Sequence, residues 1–183
     1  GRAKPEPGEH VGLTYARFNH PNAEITEDHL VPIETGANAA LVFSSGMAAI
    51  MTALMSHIKP GDAIVYTVPI YGGTQHLIQD FLEPWGIRGV PVLAGKTDKL
   101  EAAMRTTPGL RVVLIETPAN PTLVMTDLNH AVAVAKSLTP APLVMVDNTL
   151  LGPAFQHPLD LGADVVLYSA TKYLGGMSDL VAG

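Results

Sequence analysis

From Gly36 onward, short apolar runs alternate with stretches whose apolar residues recur every three or four positions, which predicts strands and helices in turn. AALVF (Ala39–Phe43) predicts a strand, and GMAAIMTALMSHI after it predicts a helix closed by Lys59, Pro60 and Gly61. AIVYTV (Ala63–Val68) predicts the next strand and Thr74–Leu82 a helix. Ile87–Leu93 and Arg111–Glu116 predict strands separated by a short helix near Leu100–Arg105. Asp127–Leu138 predicts a helix with an acidic start and a lysine near its end, as the helix dipole favours. Pro142–Asn148 and Ala163–Ser169 are continuous apolar runs of the kind that form strands buried on both faces. Before Pro32 the chain is polar and rich in Pro, Asn, His and Glu, which predicts an extended arm and a short helix outside the core.

Regular alternation of strand and helix predicts an α/β protein with a mostly parallel sheet covered by helices on both faces and right-handed crossovers. Residues 1–35 form the arm and 36–183 the α/β/α domain on this reading. A length of 183 residues suffices for a substantial core. The formal charge of −6, with no long basic run, argues against a nucleic-acid partner. No cysteine is present, so neither disulfides nor thiolate metal sites are available. The seven histidines are scattered without ligand spacing. No apolar run reaches membrane-span length, so the expectation is a soluble, cytoplasmic protein.

In a parallel sheet, ligands bind beyond the carboxyl ends of the strands, and the residues there carry the candidate chemistry. Ser44-Ser45-Gly46-Met47 opens a helix, where free N–H groups and a close backbone approach suit an anion, although an ordinary serine cap has the same appearance. Tyr71 sits beside Gly72 and Gly73, as either a ring-stacking tyrosine or a loop aromatic. Asn120 lies between Pro118 and Pro121, aimed by a rigid turn. Glu116 emerges from an apolar strand and needs a partner. Asp147, Asn148 and Thr149 follow one strand; Ser169, Thr171 and Lys172 follow the last. An anion cradle, an aromatic, an amide, a carboxylate and an amine at one mouth suit pyridoxal 5′-phosphate, whose aldehyde bonds to lysine and whose ring nitrogen a carboxylate keeps protonated.

The ordered motifs SSGMAAI, YGGT, ETPANPTL, VDNT and YSATKYLGGMSD resemble the Cys/Met metabolism family of pyridoxal-phosphate enzymes, which includes cystathionine γ-synthases, cystathionine γ-lyases and methionine γ-lyases. The resemblance implies the large domain of the aspartate-aminotransferase-like (type I) fold and an activity of γ-elimination or γ-replacement on methionine, cystathionine or an O-substituted homoserine. It implies that Lys172 bonds the cofactor, Asp147 pairs with the ring nitrogen with Thr149 beside it, and Tyr71 stacks on the ring and relays protons. Gly46, Met47, Ser169 and Thr171 would hold the phosphate, and Asn120 the ring oxygen. Tyr15 and Arg17 match the family's Tyr-x-Arg pair, which serves the neighbouring subunit, so a homo-oligomer (a dimer of dimers) is implied. Met177 stands where the family usually has histidine. Family members continue into a smaller C-terminal domain, so the expectation is a chain that lacks that domain and has an incomplete site by itself.

Two other readings compete. Tyr168 and Lys172 spell the Tyr-x-x-x-Lys of short-chain dehydrogenases, but that chemistry needs both on one helical face and a glycine-rich fingerprint that is missing. The other is a truncated, non-catalytic subunit of the same fold.

Overall fold

The computed structural model describes Ala16 and residues 20–183. Strands β1 (Ala63–Val68), β2 (Arg88–Leu93), β3 (Leu110–Glu116), β4 (Leu143–Asp147) and β5 (Val165–Leu167) form one sheet in the order β2-β1-β3-β4-β5. Every adjacent pair is parallel. The helices are α1 (Pro21–Leu30), α2 (Gly46–Met55), α3 (Gly72–His76), α4 (Thr97–Thr106) and α5 (Leu128–Ser137).

Period-two alternation along the strands divides the core into two layers. Ile64, Tyr66, Leu114 and Met145 face Ile50 and Leu54 of α2, together with Ile78 and Leu82. Val65, Val113, Ile115 and Val146 face Leu100 and Met104 of α4 and Ala131 and Val134 of α5. The sheet is thus covered on both faces, as the apolar runs predict. Each fully buried Leu, Ile or Val side chain contributes about 1.5–3 kcal/mol.

The element boundaries differ from expectation in physically explicable ways. Ala39–Phe43 is not a strand of this sheet. Only Phe43 exchanges a pair of backbone hydrogen bonds, with Gly183 (2.7 and 3.0 Å), and a single pair does not make a ladder. The helix expected over Thr74–Leu82 begins earlier, at Gly72, and widens into a π-helical turn over Leu77–Leu82. There Glu83 N–H reaches the Ile78 carbonyl, five residues back, and the wider turn keeps Ile78 and Leu82 against the sheet. None of the residues of α1 is buried, and the helix is held to the chain that follows it by Val42 N–H on Glu27 Oε1 at 2.9 Å. Among the described residues no helix is long and apolar enough to cross a membrane.

Chain order reverses beside β1, which has β2 on one side and β3 on the other. The β1–β3 pairing stops at Tyr66 and Leu114, while β1 continues along β2 to Val68 and β3 continues along β4 to Glu116. The two strands part there and leave a crevice at their carboxyl ends, the usual ligand position in an open α/β sheet.

Leu54, on the face of α2 that packs on the sheet, is fully buried. Leu54→Ala is expected to lower unfolding stability by about 2–5 kcal/mol in a denaturant titration, through lost transfer energy and a residual cavity.

Candidate functional site

Each candidate site residue that the structure describes follows the carboxyl end of a strand or opens α2. Tyr71 follows β1, half exposed, as the residue preceding α3. A Cβ on Gly73 would lie 2.7 Å from the Tyr71 ring and 3.0 Å from Met47 Sδ, so any larger residue there would push both side chains aside. Asn120 is exposed on the turn after β3. Asp147 ends β4 and is 7 % exposed. Ser169 and Thr171 follow β5, and Lys172 lies exposed on the next turn, its N–H on the Ser169 carbonyl at 3.0 Å.

One chain of contacts joins the acid to the helix end. Asp147 Oδ1 accepts the Thr149 hydroxyl at 2.6 Å and the Thr149 N–H at 3.1 Å. The Thr149 oxygen in turn accepts the Ser169 N–H at 2.8 Å. Ser169 packs directly on Gly46, where an added Cβ would lie 2.8 Å from that of Ser169. Ser45 caps α2 by accepting Ala48 N–H at 3.1 Å, and the N–H groups of Gly46 and Met47 have no intrahelical acceptor. Thr171 is engaged differently: its hydroxyl donates to the Ala182 carbonyl and accepts the Ala182 N–H.

A second junction spans the crevice. Glu116, 5 % exposed, accepts Tyr71 N–H at 2.8 Å through Oε2 and Asn120 N–H at 2.7 Å through Oε1. Its own N–H donates to the Thr67 hydroxyl at 3.0 Å. Glu116 stands in register with Asp147 on the adjoining strand. Burial, with the Asp147 charge adding to it, pushes the Glu116 carboxyl up to about 7. Burial also raises Asp147, against the pull of its bonds from Thr149.

A third network links the arm to the β4 and β5 ends. The Tyr168 hydroxyl donates to Glu34 Oε2 and accepts Asn148 Nδ2 at 2.8 Å. Gln156 Nε2 bonds Asn148 Oδ1 at 2.8 Å and the Thr117 carbonyl at 3.1 Å. Burial raises Glu34 and raises Tyr168 strongly, so the tyrosine stays protonated. No local signal marks Glu34, whose partner lies 134 positions away. The geometry also removes the dehydrogenase reading: Tyr168 follows a strand, Lys172 sits on a turn, and the tyrosine hydroxyl is held by Glu34 and Asn148. Tyr15 and Arg17 lie outside the described residues.

Two surface depressions, of about 420 and 530 Å³, lie away from this rim, one beside β2 and α4 and the other around Lys59, Asp62 and Arg111. The candidate residues lie instead at the carboxyl ends of β1, β3, β4 and β5.

An open parallel sheet with an acid, an amine-bearing turn and a helix N-terminus near the carboxyl ends of β4 and β5 defines the class: an α/β protein with candidate ligand-binding residues along its carboxyl rim. The chain belongs to the family described as Cys/Met metabolism PLP-dependent enzymes, whose model matches residues 2–183. It is 43 % identical over 180 residues to a cystathionine gamma-lyase of Bacillus subtilis, covering 98 % of this chain and 46 % of that protein. It is 44 % identical over 173 residues to a cystathionine gamma-synthase of Mycobacterium tuberculosis, covering 94 % and 43 %. Among solved structures, metB of Corynebacterium glutamicum matches with a TM-score of 0.88 at 36 % identity, over 99 % of this chain and 46 % of that one. A cystathionine gamma synthase of Xanthomonas oryzae pv. oryzae in complex with cystathionine matches with a TM-score of 0.87 at 36 % identity, over 96 % and 44 %. The chain therefore spans a little under half the length of these relatives.

The residues present fit pyridoxal 5′-phosphate. Asp147 is a buried carboxylate that no protein cation pairs with among the described residues, and neither Glu116 nor Lys172 enters an ion pair there. A cationic ring nitrogen would supply the missing charge. Gly46 and Ser169, pressed together at the start of α2, suit a phosphate in both donor chemistry and dipole sign.

The raised carboxyl of Glu116 has a thermodynamic consequence with a definite sign. A carboxyl with a folded pKa above its unfolded value binds more protons when folded, so its contribution to stability is fully present below about 4.5 and is lost as pH rises through about 7. The cofactor-free protein is expected to lose about 2 kcal/mol from this group across that window, after allowance for solvent screening. Glu116→Gln should flatten the corresponding part of the pH–stability curve measured by urea unfolding.

Proposed function

We propose that this chain is the cofactor-binding part of a pyridoxal-phosphate enzyme of sulfur amino-acid metabolism, acting by γ-elimination or γ-replacement on cystathionine, methionine or an O-substituted homoserine. The observation that carries the reading is Asp147, a buried acid without a protein cation, bridged by Thr149 and Ser169 to the N-terminus of α2. Acid and anion site are thereby joined through one short path, as a ligand with a cationic ring and a phosphate requires. The relatives named as cystathionine gamma-lyase and cystathionine gamma-synthase support the substrate class.

When bound, the cofactor supplies an electron sink for a carbanion at the substrate Cα. Lys172 would hold it through Nζ, and that amine, when free, would accept the substrate Cα proton; a Cβ proton must also be removed before the Cγ bond can break. Asp147 would keep the ring nitrogen protonated, with Thr149 orienting that carboxylate. Tyr71 would face the ring and give a proton to the group leaving Cγ. Asn120 would donate to the ring oxygen. The N–H groups of Gly46 and Met47, with Ser169 and Thr171, would hold the phosphate. For Thr171 this requires its hydroxyl to turn from Ala182.

Tyr15 and Arg17 reach the phosphate of an adjoining subunit in a homo-oligomer, a dimer of dimers. The unburied α1 supports an arm that finds its packing elsewhere. A cytoplasmic location accords with this chemistry.

The test uses the complete protein that carries this chain. After reconstitution with pyridoxal 5′-phosphate and borohydride reduction, mass spectrometry is expected to find the cofactor on the peptide containing Lys172, and on none in Lys172→Ala. A covalently trapped cofactor in that variant would refute the reading. Asp147→Ala should keep the trapped cofactor yet lower kcat by about a hundredfold or more, read as ketoacid release from cystathionine and from methionine.

A further inference from the structure

The β1–β3 ladder ends before the two strands do. Beyond Tyr66 and Leu114 the backbones part, and the loops carrying Tyr71 and Asn120 have no backbone bonds to one another. Side chains bridge the gap instead. The Thr67 hydroxyl takes the Glu116 N–H, and the two oxygens of Glu116 then take one N–H from each loop, at 2.8 and 2.7 Å. A carboxylate buried to 5 % exposure, beside Asp147 and without a cation, is costly to keep. An amide or an apolar residue would fill the space at lower cost, but neither presents two acceptors to two donors at once.

We propose that Glu116 is a positioning residue that fastens the Tyr71 loop to the Asn120 loop across the point where β1 and β3 part, so that both side chains meet the cofactor as one rigid pair. The inference rests on the cofactor reading above, in which Tyr71 and Asn120 touch the ring. Glutamine keeps one acceptor and turns an amide donor toward the second N–H, so it releases one loop. Aspartate keeps the charge but is one methylene too short to span both.

The holoenzyme is compared with its Glu116→Gln and Glu116→Asp variants by amide exchange at Tyr71 and Asn120, circular dichroism of the bound cofactor, kcat and KM, and thermal midpoint. Exchange should rise about tenfold or more at one of the two amides in the Gln variant and in the Asp variant. The cofactor dichroism should weaken, and kcat should fall about ten- to a hundredfold with KM nearly unchanged. The thermal midpoint of the Gln variant should change little, because loss of a buried charge offsets the N–H left without an acceptor.

Wild-type exchange and dichroism in both variants would overturn the proposal. So would a midpoint that falls in step with kcat, which is the mark of a merely structural residue. If the Gln variant does not fold, the Asp variant is read by the exchange and dichroism criteria alone. Lys172→Ala separates the two levels: trapped cofactor in that variant sinks the cofactor reading itself. Loss of trapping there, with wild-type behaviour at Glu116, sinks only the positioning role.

Discussion

The pairing of β3 with β4 in register to their last residues brings Glu116 and Asp147 side by side at the rim of a parallel sheet. Two carboxylates are thereby held next to one another, both nearly closed off from water, with no cation among the described residues to balance them. Such an arrangement lowers the stability of the empty protein when the acids ionise and raises its attraction for a positive ligand, since both follow from the same missing charge. The rest of the site is arranged around how each acid is held. Asp147 is oriented by Thr149 and so tied to Ser169 and α2; Glu116 is tied to the loops of Tyr71 and Asn120.

The anion end of the site depends on close packing rather than on charge. Gly46 meets Ser169 at a distance that leaves no room for a side chain, and Gly73 admits both the Tyr71 ring and Met47. The start of α2 is thereby held against the β5 turn on one side and the Tyr71 loop on the other. A helix N-terminus alone attracts many anions weakly; seated between two packed loops, it has a fixed position relative to the groups those loops carry.

The third network gives the arm a physical connection to this rim. Glu34 reaches Tyr168, and through Asn148 and Gln156 the contact extends to the carbonyl of Thr117, the residue after Glu116. Glu34 and the residues just after β3, β4 and β5 thus share one set of hydrogen bonds. The arm's last turn is anchored there, while α1 itself buries none of its residues.

Most of the fold was legible in the sequence because apolar runs bounded by glycine and proline report strands directly, and all five strands of the sheet fall within predicted runs or one residue beyond them. Ala39–Phe43 misled for a definite reason: composition reports the capacity to pair, not the presence of a partner, and only Phe43 finds one. The placement of Tyr71, Asn120, Asp147 and Lys172 at strand ends was likewise readable, since it follows from chain order alone. The pairing of Glu116 with Tyr71 and of Glu34 with Tyr168 was not, because those partners lie 45 and 134 positions away and no local pattern specifies them. The sequence by itself determined the alternating architecture, the residue types at the rim and the family motifs. Only the tertiary structure decided which acid holds which loop, because a hydrogen bond between distant segments exists only once the sheet has set their register.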